Sequence, residues 1–214
     1  TLESLQRLAS YARKKNKNLH MICITGSSGK TSLKEWTGKI LQKRVNTYFN
    51  PGNFNNEIGM PLSLVNMPIN TEVCILELGM NCKGEIKKLA KIASPTISII
   101  TNIGFAHIGN FIEPKDIARE KASIYDSLNE ESFALIPNDS PYSKLLIKRA
   151  SSKTQNIVLF GVKGNTNSSF NKIKENKFIF SIFGKKVSLT KKNYFKHWEE
   201  NTLIIFIILN ILKF

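Results

Sequence analysis

The chain has 214 residues, 42% of them hydrophobic and 22% charged. That is an ordinary globular composition, which excludes a wholly disordered chain. At roughly 100–200 residues per domain it suits one large domain, or a domain with an appendage. Thirty-one Lys and Arg stand against sixteen Asp and Glu, a formal charge of +15. The basic residues are mostly Lys, scattered among Asn and Ile, with no RNA-recognition signature, zinc-finger spacing or basic helix. The charge therefore reads as a bias toward Lys, Asn and Ile rather than a nucleic-acid footprint, although an anionic substrate such as a nucleotide would suit it too. The longest apolar run, Leu203–Leu209, falls short of the ~20 residues a membrane span needs. No export signal is visible at the N-terminus. Cys23, Cys74 and Cys82 lack metal or redox spacing, and the first two sit in apolar runs. The expectation is a reduced, cytoplasmic protein.

In chain order, Thr1–Lys17 reads as an amphipathic helix with Leu2, Leu5, Leu8, Ala9 and Ala12 on one face. It has no initiator Met and no evident cap, so a piece of a longer chain is expected. Met21–Thr25 reads as a strand, leading through a glycine-rich turn into a helix over Lys30–Gln42. Val45–Phe49 is a second strand, followed by an Asn-rich loop and a helix over Glu57–Asn66. Val73–Leu78 and Ile97–Thr101 read as buried strands flanking a helix at Gly84–Ile92. A long helix over Pro114–Leu128 precedes strands at Phe133–Ile136 and Ile157–Phe160, with Pro141–Ala150 helical between them. Six short apolar strands alternating with helices predict an α/β fold, a mostly parallel sheet covered on both faces. From Ser168 to Thr190 the texture changes to short alternating segments with turn signals at Glu175–Asn176 and Gly184–Lys185. This predicts a small antiparallel appendage. Trp198–Phe214 is helical in length.

The sharpest chemical signal is Thr25-Gly26-Ser27-Ser28-Gly29-Lys30-Thr31, followed by Ser32, between a strand and a helix. Phosphate binding needs inward-turned backbone N–H groups, a Lys for the terminal phosphates and a hydroxyl for Mg2+. The usual phosphate loop carries a glycine where Ile24 stands, so this is a shortened variant. Three other polar loops follow strands. Glu77 ends an otherwise apolar strand, where a carboxylate is costly unless paired or metal-bound. Asn102 and His107 follow Ile97–Thr101, and Asn50-Pro51-Gly52-Asn53-Phe54-Asn55-Asn56 follows the second strand. Each has a plain reading alone: a satisfied Glu at the sheet edge, a solvated loop His, an Asn-rich turn. Ligands of open parallel sheets sit beyond the carboxyl ends of the strands, and all four loops fall there.

These residues resemble the Mur ligase family, the ATP-dependent amide ligases of peptidoglycan assembly. The resemblance runs from about Leu2 to Asn210 and rests on Ile24–Trp36, Asn50–Val65, Glu77–Ala90, Pro95–Phe111 and Ala118–Leu128. Asn-Asn-Glu-Ile-Gly-Met-Pro and Glu-Leu-Gly-Met-Asn favour the branch that joins D-alanyl-D-alanine to UDP-N-acetylmuramoyl-tripeptide. The resemblance implies that Gly26, Ser27, Ser28, Gly29, Lys30, Thr31 and Ser32 cradle the ATP phosphates. Thr31, Glu77 and His107 would hold Mg2+. Lys121, four residues before Tyr125, matches a lysine the family carbamylates, and would then serve a second Mg2+. Asn53, Asn55 and Asn56 would face the muramoyl-peptide, and His197 and Asn201 the adenine, with Trp198 replacing an Asn of that segment. Lys30, Glu77, His107 and Lys121 are thus the expected catalytic set.

The domain organisation so implied is a linker helix at 1–17 and a central ATP-binding domain at 18–214, with its small antiparallel sheet at about 165–192. The family's UDP-binding N-terminal and closing C-terminal domains would be absent, so weak nucleotide binding without ligation is expected. A monomer without a nucleic-acid partner or membrane span is also expected. The alternatives are a sibling amide ligase of another Mur, folylpolyglutamate or cyanophycin type, a basic nucleic-acid-binding P-loop module, and a non-catalytic scaffold.

Overall fold

The computed structural model describes residues 1–104, 111, 113–162, 166–174, 177–190 and 198–214. The chain begins with α1 (Leu2–Lys15), which the Thr1 hydroxyl caps by accepting from the Ser4 amide at 3.5 Å. The cap that the sequence did not reveal is therefore the first residue. There follow β1 (His20–Thr25), α2 (Lys30–Leu41), β2 (Thr47–Phe49), α3 (Gly59–Val65), β3 (Val73–Glu77), α4 (Glu85–Ala93) and β4 (Ile97–Ile100). Next come α5 (Pro114–Ala122), a 3-10 turn (Ser123–Ser127), β5 (Phe133–Pro137), α6 (Ser143–Ser151) and β6 (Ile157–Gly161). The chain then runs through β7 (Ser168–Lys174), β8 (Lys177–Ile182), β9 (Lys185–Thr190) and α7 (Trp198–Ile211). The expected helix over Pro114–Leu128 is thus a nine-residue α-helix that tightens into the 3-10 turn.

Among the described residues all strands belong to one sheet, in the order β2-β3-β1-β4-β5-β6-β7-β8-β9. The first six are parallel, as their alternation with helices predicts. The mostly parallel sheet and the antiparallel strands at its end are as expected, but the sheet has nine strands rather than six, because the appendage continues it. β7 pairs parallel with β6 through Phe160↔Ser168 and Gly161↔Ser169, and β8 and β9 add antiparallel to it. Hairpin spacing marks these strands as antiparallel to each other but says nothing of their sharing an edge with β6.

Side chains alternate across the sheet. Met21, Cys23, Cys74 and Leu76 face a core built with Ala9, Met60, Leu89, Ile117 and Leu146, from α1, α3, α4, α5 and α6. Ile22, Ile24, Val73 and Ile75 face the opposite core, with Leu33 and Leu41 of α2 and Leu203, Ile204, Ile207 and Ile208 of α7. The apolar run noted in the sequence is thus a buried face of α7. Among the described residues no helix is long and apolar enough to cross a membrane. Phe180 of β8 is fully buried, with ring contacts to Trp198 at 5.9 Å and Phe206 at 5.5 Å. The last strands therefore share α7 with the parallel sheet.

That sharing predicts the effect of emptying the junction. Phe180→Ala should cost about 3–5 kcal/mol, as for other buried aromatic truncations, and leave a single urea transition. A separate early transition for residues 166–190 would mark those strands as an independent unit.

Candidate active site

In a parallel sheet every strand ends at the same edge, so the loops after β1, β2, β3 and β4 meet there. The glycine-rich loop lies between β1 and α2. Gly26 has φ +152°, and a Cβ on it would lie 1.9 Å from the Thr101 hydroxyl. Gly29 precedes α2 in the left-handed region, φ +79°. Helix geometry leaves the N–H groups of Lys30, Thr31 and Ser32 without intrahelical acceptors, and the axis dipole favours negative charge there.

Residues after β4 hold this loop. The Asn102 Oδ1 accepts from the amides of Ser27 at 3.1 Å and Ser28 at 3.0 Å, while its Nδ2 donates to the Ser28 hydroxyl at 2.8 Å. The Thr101 hydroxyl donates to the Ser28 carbonyl at 2.7 Å. The Gly104 amide donates to the Ser27 Oγ at 2.8 Å. His107, expected in this loop, lies outside the described residues.

Two ammonium-bearing side chains converge on one oxygen. Lys30 Nζ and Lys121 Nζ each donate to the Gly26 carbonyl at 3.0 Å. Burial lowers the Lys30 pKa, with Glu77 opposing the shift. Lys121, only 1% exposed, is pushed down to about 7, first by burial and then by Lys30, with Glu120 opposing. Near neutral pH a substantial fraction of Lys121 is therefore an uncharged amine. The Lys121 helix is anchored by its neighbour Glu120, whose carboxylate accepts from the amides of Gly84 at 2.8 Å and Ile86 at 3.0 Å.

Glu77, 2% exposed at the end of β3, is fully engaged. Its Oε2 accepts from the Thr31 hydroxyl at 2.7 Å and its Oε1 from Asn55 Nδ2 at 2.8 Å. The oxygens of Thr31 and Glu77 are hard donors of the kind Mg2+ takes, and they sit beside a helix N-terminus, a place that favours anions. The residues present fit that ion. Among the described residues no group of three or more His, Cys, Asp or Glu could hold a metal alone.

The three asparagines separate into different roles. Asn55 turns inward to Glu77, and Asn56 Oδ1 accepts from the amides of Ile58 at 3.1 Å and Gly59 at 2.8 Å at the start of α3. Asn53 is exposed. Asn55 and Asn56 line a cavity of about 240 Å³ together with Gly26, Lys30, Glu85 and Lys121. Asn201 is 1% exposed in α7, and its Nδ2 lacks a hydrogen-bond partner among the described residues. The helix packs on α2 and on β6, β7 and β8. His197 lies outside the described residues. Sequence reasoning passed over Lys34, Thr101 and Glu120. Nothing in their spacing separates them from ordinary helix and strand residues.

The Lys121 shift has a calculable sign. Its unfolded value is ~10.4, so below about pH 7 the ammonium is buried in the folded state at full cost. Between about 7 and ~10.4 the unfolded chain binds the extra proton, and stability rises with pH. Lys121→Met should therefore be more stable than wild type at pH 6, with the gap in urea midpoint narrowing as pH rises from 7 toward 10. A gap independent of pH would contradict the shift.

Comparison with known proteins places this geometry. The Mur ligase middle domain family matches residues 24–209. A Treponema pallidum protein named UDP-N-acetylmuramoyl-tripeptide–D-alanyl-D-alanine ligase is 42% identical over 155 residues, covering 69% of this chain and 34% of the relative. The chain thus spans about a third of the length of that relative. A crystal structure of MurF from Acinetobacter baumannii superposes with a TM-score of 0.92 at 28% identity, covering 100% of this chain and 47% of that one. A Thermotoga maritima MurF ligase structure in complex with ADP superposes with a TM-score of 0.82 at 27% identity, covering 98% and 50%. With its glycine-rich loop between β1 and α2, its converging Lys30 and Lys121 and its parallel sheet, this chain belongs to the Mur ligase family, as a middle domain.

Proposed function

We propose that this chain is the ATP-binding part of an amide ligase that joins D-alanyl-D-alanine to UDP-N-acetylmuramoyl-tripeptide in the cytoplasm. The observation that carries the reading is the convergence of Lys30 and Lys121 on the Gly26 carbonyl, next to the Thr31–Glu77 pair. ATP phosphates would lie on the α2 terminus, with Gly26, Ser27, Ser28, Gly29 and Ser32 around them and Lys30 on the terminal phosphate. Thr31 and Glu77 would hold Mg2+, with His107 joining them. When bound, the ion neutralises charge on the phosphate oxygens. The amide of Asn201, whose Nδ2 has no partner among the described residues, would serve the adenine together with His197.

The proposed reaction has two steps. The peptide's terminal carboxylate takes the γ-phosphoryl group to give an acyl phosphate, with ADP leaving. The amine of D-alanyl-D-alanine then attacks the acyl carbon, phosphate leaves, and the amine proton is lost. Transfer between two anions needs positive charge held in place beforehand, because donors already oriented need not reorganise during reaction. Lys30, half-buried and held on the Gly26 carbonyl, would supply a fixed cation there.

Lys121 fits a different task. A neutral amine adds to the carbon of CO2 and loses a proton, becoming a carbamate whose oxygens can hold a second Mg2+. A pKa near 7 makes that amine available at physiological pH. Asn53, Asn55 and Asn56 would stand on the muramoyl-peptide side. We assign residues 1–17 as a linker helix and 18–214 as a monomeric central domain. Ligation would then require the UDP-binding and closing domains of longer relatives.

A chimera tests this reading. This chain would replace the matching third of the Treponema pallidum ligase, and phosphate release would be followed with each candidate acceptor amine. Release that depends on D-alanyl-D-alanine and is lost in Lys30→Ala is expected. The drop should be on the order of 100-fold or more, as for other preorganised charge stabilisers. Dependence on another amine would replace the acceptor assignment, and ligation by the chain alone would overturn the division of labour.

A further inference from the structure

Lys34 lies one turn beyond Lys30 in α2 and has no solvent exposure. A buried ammonium is costly unless its protons are all used, and an apolar residue would fill the same space without that cost. Here all three protons have acceptors in reach. Nζ donates to the Asn50 carbonyl at 2.6 Å and the Gly52 carbonyl at 2.7 Å, and faces Glu35 Oε1 at 3.3 Å. Two of the three acceptors are backbone oxygens of the loop after β2.

That loop in turn holds Glu77. Fully buried Asn50 accepts from the Glu77 amide through Oδ1 at 3.1 Å, and its Nδ2 donates to the Phe54 carbonyl at 2.8 Å, closing the loop on itself. Farther along, Asn55 donates to Glu77 Oε1 at 2.8 Å, and its carbonyl accepts from the Gly79 amide at 2.8 Å. Glu77 Oε2 is thereby left for Thr31, three residues before Lys34 on the same helix. The bonds form a closed circuit: α2, loop, Glu77, and back to α2.

We propose that Lys34 is a positioning residue, which locks the loop at residues 50–56 onto α2 and so aims the Glu77 carboxylate at the metal position beside Thr31. The proposal rests on the reading of that position as a Mg2+–nucleotide site. It adds a coupling, since the helix that would carry the phosphates also fixes the loop that would face the peptide. A displacement of either would reach the other through one ammonium group.

The test compares wild type with Lys34→Met, which keeps the stem and removes the donors, and with Lys34→Gln as a second variant should the first not fold. Amide hydrogen exchange is measured without ligand, and ATP binding is titrated in Mg2+ and in EDTA. The Glu77 and Gly79 amides should exchange on the order of tenfold faster or more, while those of Ile22 and Ile24 in β1 keep their protection. The advantage that Mg2+ confers on ATP affinity should shrink toward the EDTA value. A purely structural role would lower the melting temperature and leave that ratio unchanged, which would overturn the proposal. Unchanged exchange at Glu77 and Gly79 in a folded variant would overturn it as well. Should wild type bind no nucleotide under either condition, the nucleotide reading fails, and the exchange result alone decides whether Lys34 locks the loop.

Discussion

The site depends on one carboxylate. Glu77 closes an apolar strand with almost no exposure, a position where an unsatisfied charge would be prohibitive. It is tolerated because Thr31 and Asn55 each donate to one of its oxygens. Those two donors come from separate segments, the first turn of α2 and the loop after β2. Satisfying Glu77 therefore requires the phosphate loop, the Asn-rich loop and the end of β3 to meet at one point. The parallel sheet makes that meeting possible, since β3 lies between β2 and β1 with the same direction.

Positive charge is concentrated near this point, with Lys30 close enough to feel the Glu77 carboxylate. Lys30 and Lys121 share the Gly26 carbonyl, and burial together with mutual repulsion drives Lys121 down to about 7. A half-buried lysine and a fully buried one at one oxygen are an unstable arrangement for an empty core and a suitable one for an anion. The overall charge of +15 carries much less information than this pair. Most of that charge is spread over the surface, whereas Lys30, Lys34 and Lys121 are placed by the fold.

The architecture was legible wherever periodicity and turns act locally. Val73–Glu77 and Ile97–Ile100 could be read because buried parallel strands are continuous apolar runs. The joining of β7 to β6 could not, since that ladder is two residue pairs long and leaves no pattern in the sequence. Lys30, Thr31 and Glu77 were visible because glycine-flanked hydroxyls and a carboxylate at a strand end are locally unusual. Lys121 was visible only through resemblance, because its lowered pKa comes from burial and from a lysine 91 positions away in the chain. Lys34 was not visible at all, as its partners are backbone carbonyls that carry no side-chain signature. Asn56 Oδ1 accepts from the amides of Ile58 and Gly59 while the residue also lines the cavity with Asn55, a pairing that an Asn-rich run does not announce.

The most direct measurement is isothermal titration of Mg2+–ATP into this chain, wild type beside Lys30→Ala. The account predicts saturable binding by wild type and its loss in a variant that remains folded. Equal binding by both proteins, or none by a folded wild type, would contradict the assignment of the Gly26–Thr31 loop as the nucleotide site.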